Sequence, residues 1–174
     1  MRKLSRKEIY SKIKEITTIA GSIRKLSEIG LSMHLKLEDE ILECDNPELS
    51  FWYAYYIPGA DVERHQQVVL NSNQPSWCYK FACYIEGADV IALTNVVKES
   101  DDPLYKYLCA RDIPQLIPDF DITPFEDSVL ELEDSKWSNQ FLHNVKGSRK
   151  ELHENVIRNN EAKNVKSLYF QSLL

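Results

Sequence analysis

Between residues 57 and 84 the apolar positions recur with a helical period. Val62, His65, Val69 and Leu70 fall at i, i+3, i+7 and i+8, one face of a helix that opens at Ala60-Asp61. The polar run Asn71–Gln74 closes that helix. Pro75 then stands where proline is tolerated, in a first helical turn, and a second helix over 75–84 buries Trp77, Phe81 and Ala82. In the next copy of this pattern Asp102 precedes Pro103 as an N-cap. Gly59, Gly87 and Gly147 follow the second helix, in a turn that calls for positive φ.

The pattern repeats. Ile57-Pro58-Gly59-Ala60-Asp61-Val62 returns as Ile85-Glu86-Gly87-Ala88-Asp89-Val90, 28 residues on. The same interval aligns Pro47, Pro75 and Pro103, then Ala54, Ala82 and Ala110, and sets the units 29–56, 57–84 and 85–112. Beyond them the register resumes at an offset of 60, with Trp137 and Phe141 on Trp77 and Phe81. A fourth unit, 113–144, therefore carries a four-residue insertion near Leu116–Asp119, and a fifth spans 145–172. Residues 1–28 keep only Ile9 and Ile13 of the pattern, as a basic helical cap or a degenerate repeat.

Two helices of about ten residues bury too little apolar surface alone, so neighbouring pairs have to stack. The fold predicted is all-α: a right-handed alpha solenoid of about five to six helix-pair repeats, filling 29–174. The small residues at 54, 82 and 110 let successive helices approach closely. A compact helical bundle that keeps traces of duplication is the alternative. The stretch Ile-Pro-Gly-Ala-Asp-Val…Val-Val…Ser…Pro-x-Trp-Cys-Tyr-x-Phe-Ala over 57–82, with its echo over 85–110, resembles a short tandem helical repeat of uncharacterised bacterial and phage proteins. That resemblance covers about 60 residues of the 174 and implies a helical array, with no activity and no functional residue to carry over.

Composition narrows the class. With 43% hydrophobic residues, 28% charged residues and five glycines, the chain fits one globular unit and excludes collagen-like or low-complexity sequence. No run approaches the length needed to span a bilayer, and the basic N-terminus lacks the apolar core of a secretory signal, so a cytoplasmic protein is expected. Cys44, Cys78, Cys83 and Cys109 show no metal-binding spacing and read as reduced, largely buried thiols.

Charge is uneven. Residues 1–25 carry eight basic and two acidic side chains; residues 26–143 carry seven and 22; residues 144–174 carry six and three. The overall charge of -6 thus averages a basic start, a strongly acidic middle and a mildly basic end. A dipolar molecule of this kind is open to weak end-to-middle self-association, so a monomer or weak homo-oligomer is expected.

Catalytic motifs are lacking: GxSxG, HExxH, P-loop and GxGxxG patterns do not occur. Ser72 and Ser100 fall at helix ends and Ser138 on a helix, all read as capping or solvent-exposed. His65 and His153 occupy the repeat position of Leu37, Leu93 and Phe125 and read as core substitutes. His34 and Glu38 are four apart, as in a solvated ion pair. Asp119 and Asp121 form an Asp-x-Asp beside the insertion, the basis of a third reading as a cryptic metal-dependent enzyme.

The leading expectation is a non-catalytic interaction protein without cofactor or metal, of inhibitor or immunity type, blocking a partner with a basic surface. Its predicted binding residues are an aromatic and arginine ridge (Phe51, Tyr79 and Tyr107, then Tyr55 and Arg111) and the acids Glu38, Asp39, Glu43, Glu131 and Glu133. Packing of the ridge into the neighbouring helices is its counter-reading. The alternative is a nucleic-acid binder using Arg2, Lys3, Arg6, Lys7, Lys12 and Lys14, against which the acidic middle weighs.

Overall fold

The computed structural model describes residues 36–171, together with Ser11. Over 36–171 the regular structure is helical, with nine helices and no strand. They are α1 (36–42), α2 (Pro47–Tyr56), α3 (Val62–Asn71), α4 (Pro75–Tyr84), α5 (Val90–Glu99), α6 (Pro103–Leu116), α7 (Thr123–Leu130), α8 (Ser135–Asn144) and α9 (Lys150–Gln171). Two compact units divide the chain, Met1–Leu93 and Thr94–Leu174.

The helix boundaries follow the repeated sequence. Proline occupies the first turn of α2, α4 and α6, where its missing N–H has no helical partner to lose. Asn46 caps α2 by accepting the N–H groups of Glu48 at 3.0 Å and Leu49 at 3.2 Å. Asp61, Asp102 and Asp134 perform the same role at α3, α6 and α8. Asn46→Ala is expected to cost about 1 kcal/mol, the usual loss for a removed N-cap. Urea unfolding reads it, and an unchanged midpoint would show that water replaces the cap without loss.

At the other end of the second helices, the N–H groups of Ile57, Ile85, Ile117 and Val145 donate to the carbonyls of Tyr53, Phe81, Ile113 and Phe141. Gly59, Gly87 and Gly147 then turn the chain at φ 84°, 81° and 86°. These are left-handed values that side chains rarely adopt.

Equivalent repeat positions are buried in successive repeats. Ile41, Val69, Val97 and Val129 come from the first helices, and Tyr53, Phe81, Cys109 and Phe141 from the second; all are fully buried. Burial of each large side chain contributes on the order of 2 kcal/mol. In the first unit Leu37, Ile41, Leu49, Tyr53 and Ile57 close into one cluster, with Cys44 and Ala60 at its margin.

The four-residue insertion expected near Leu116–Asp119 is taken up in α6, which runs 14 residues, against 10 in α2, α4 and α8, and ends at Leu116. Four residues are close to one helical turn, so Ile117 reaches the capping place that Ile57 and Ile85 hold in theirs. One expectation changes: the fifth repeat, expected as a helix pair, holds the single 22-residue helix α9 over Lys150–Gln171. Where the other units place a polar turn and a capped helix start, this one reads Asn159-Asn160-Glu161-Ala162-Lys163, with neither proline nor a capping Asp before the second helix.

Candidate functional site

The aromatic ridge splits between core and surface. Phe51, Tyr79 and Tyr107 are buried. Phe51 packs against Trp77 and Phe81 at ring distances of 5.6 and 6.5 Å, and Tyr107 against Trp137 and Phe141 at 6.2 and 5.8 Å. The expected ridge is therefore interior at these three positions, because the second helices are covered on more than one side. Arg111 is partly exposed but committed: it grips Asp112 through two hydrogen bonds of 2.6 and 2.8 Å and lies over the Tyr107 ring. The aspartate holds its guanidinium well above the usual arginine range.

Tyr55 remains on the surface, 49% exposed, and it has company. Trp52, Tyr55 and Tyr56 sit at i, i+3 and i+4 on α2, so their side chains meet on one helical face. Trp52 stacks on Tyr56 at 5.5 Å, and Tyr55 stands edge-on to both at 6.1 and 5.0 Å. Tyr55 also stacks on buried Phe51 at 5.8 Å, which fixes the cluster to the core. Trp52 and Tyr56 were not among the expected ridge residues; their spacing to Tyr55 is the signal that points to them.

The acids divide in the same way. Asp39, Glu43, Glu131 and Glu133 are exposed. Asp39 pairs with Arg64 at 3.0 Å. Glu133 pairs with Lys163 at 3.1 Å and its carbonyl accepts from Asn160, beside an open cleft of about 400 Å³ lined by Val156, Asn159 and Ala162. Glu38, expected on the surface, is 3% exposed and belongs to the interior.

Glu38 belongs to a device built twice. Its Oε1 accepts the N–H of Asp61 at 2.6 Å, at the start of α3, and lies 3.3 Å from Nε2 of fully buried His65. In the second unit Glu126, 1% exposed, accepts the N–H of Arg149 at 2.6 Å, its Nε–H at 2.7 Å and the Nε2–H of fully buried His153 at 3.0 Å. Arg149 also reaches Asp127, as Arg64 reaches Asp39. Between these joints, Gln66 takes the same repeat position and accepts the N–H of Asp89 at 2.7 Å, with Leu93 in the histidine place. Thus Glu goes with His and Gln goes with Leu. Both histidines are core residues as expected, yet His153 also donates to a buried carboxylate and His65 faces one at 3.3 Å. Burial holds both below the usual histidine range, against the opposing pull of the glutamates.

Ser138 is fully buried, contrary to its expected exposure, because it takes the repeat position of buried Cys78. Asp121 accepts the N–H of Thr123 at 2.9 Å and thereby holds the start of α7, with Asp119 exposed nearby. No group of three or more metal-ligating side chains occurs among the described residues. No disulfide joins the four cysteines; Cys78 and Cys109 are buried, and burial pushes the Cys78 thiol up to about 11. None of the described helices is long and apolar enough to cross a membrane. His34 and the basic residues Arg2, Lys3, Arg6, Lys7, Lys12 and Lys14 lie outside the described residues.

The chain is thus an all-α protein with helical-repeat-like organisation. No protein-family model, curated protein or solved structure matches it.

Proposed function

We propose that this chain is a non-catalytic interaction module, an inhibitor or immunity-type protein that covers a basic surface of another protein. The observation that carries it is the cluster of Tyr55, Tyr56 and half-buried Trp52, whose rings pack on one another on one face of α2, in a stretch of strongly negative charge. Rigid aromatic anchors supply binding energy at little cost in side-chain entropy, while exposed carboxylates steer a cationic partner and exclude wrong ones. Asp39, Glu43, Glu131 and Glu133 are the acids available for that steering. The chain works as a solenoid of stacked helix pairs in this proposal, supported by the recurrence of the same buried positions and of the same contacts between successive repeats within each compact unit.

Affinity capture from the native host, followed by mass spectrometry, identifies the partner. Tyr55→Ala with Tyr56→Ala is expected to weaken capture at least about tenfold, the effect of losing one hot spot. Reversing Asp39, Glu43, Glu131 and Glu133 to lysine is expected to slow association. Unchanged capture by both variants sinks the proposal. Binding of single- or double-stranded nucleic acid at about 0.15 M salt, with a steep salt dependence, would instead favour the basic N-terminal segment as the working surface.

A further inference from the structure

We propose that the two glutamate–histidine joints are acid-released latches, one in each compact unit, which open α1 from α3 and α7 from α9 while the Gln66–Leu93 joint stays shut. The geometry of the imidazoles carries this. Each ring is fully buried with Nε2 facing a carboxylate, hydrogen-bonded at 3.0 Å in His153 and at 3.3 Å without a formed hydrogen bond in His65, while Nδ1 has no hydrogen-bond partner among the described residues. A neutral ring with its proton assigned to Nε2 suits such a site, because a bare Nδ1 costs little. A second proton creates a buried Nδ1–H with nothing to receive it, and an unsatisfied buried donor is expensive.

The neighbouring charges do not remove that cost. Facing His65 are Glu38 from α1 and the Tyr53 ring from α2, with Asp61 and Arg64 from its own segment, and Arg64 is drawn toward Asp39. Facing His153 are Glu126 from α7, the Phe141 ring from α8 and Arg149, itself paired with Glu126 and Asp127. Both glutamates already accept backbone N–H groups, so their charge is shared before any imidazolium forms. Opening a joint gives Nδ1–H to water. The closed joint therefore binds fewer protons than the open one, and its stability is lost as pH falls below about 6.5, the ordinary imidazole value.

Three equivalent amides read the latches separately. Those of Asp61 and Arg149 donate to Glu38 and Glu126, and that of Asp89 donates to Gln66 in a joint with no histidine. Amide exchange of the intact chain is measured at pH 7.5 and 5.5 and corrected for intrinsic exchange rates. Protection of Asp61 and Arg149 is expected to fall about tenfold, one proton per joint over the pH unit below 6.5, with Asp89 unchanged. The paired substitutions Glu38→Gln/His65→Leu and Glu126→Gln/His153→Leu, which copy the Gln66–Leu93 joint, are each expected to abolish the fall at their own joint alone. Equal behaviour of all three amides, or folded-state histidine titrations by NMR centred near 6.5 with protection intact, overturns the proposal.

Discussion

His65→Leu by itself is expected to destabilise the protein by about 2–4 kcal/mol, because it strands a buried carboxylate. Glu38 keeps only the 2.6 Å bond from the Asp61 N–H, in a site too closed for water to replace the imidazole freely. The companion change Glu38→Gln, made on top of it, is expected to restore most of the loss, leaving a deficit of about 1 kcal/mol or less. The molecule already holds that combination: Gln66 accepts the N–H of Asp89 with Leu93 in the histidine place. Urea unfolding of the wild type, both single variants and the double closes the cycle, and a double variant whose loss is the plain sum of the singles would show that the pair is uncoupled.

Tyr107→Ala is expected to lower stability by about 3 kcal/mol or more, and Tyr55→Ala by no more than about 1 kcal/mol. Both are tyrosines in the outer part of the same repeat pattern, but Tyr107 is buried against Trp137 and Phe141 whereas Tyr55 is half exposed. Truncation of Tyr107 leaves a cavity bordered by two rings that are themselves held by other contacts and collapse only in part. Thermal melts separate the two, and similar shifts for both would mean that the two sites are equally packed. The same pair distinguishes folding from binding, since Tyr55 belongs to the exposed cluster and Tyr107 does not.

Local order was legible in the chain because its causes are local. The span of α4, the proline-started helices, the Asp102 cap and the left-handed glycines at 59, 87 and 147 follow from propensity, capping and φ preference, which a few neighbouring residues decide. The single long α9 was not anticipated by the repeat register, which predicts a helix pair there, although no capped helix start follows Asn159-Asn160. The place of the insertion was legible only approximately, since four residues lengthen a loop or add one turn to a helix with equal economy of sequence.

The candidate site was legible only in part. The even spacing of Glu38 to His65 and of Glu126 to His153, 27 residues each, was present in the chain, but an acid in an acidic run looks solvated until its neighbours are known. The rings of Phe51, Tyr79 and Tyr107 likewise project from the second helices of their repeats, as those of Tyr55 and Tyr56 do, and helical phase alone does not say how many sides of a helix are covered. By itself the sequence determined the helical class, the 28-residue register and the ends of most helices. Tertiary structure decided which acids are interior, which aromatics reach solvent and what the histidines do. The physical reason is that burial and the pairing of polar groups depend on residues brought together from distant parts of the chain, whereas turns and caps do not.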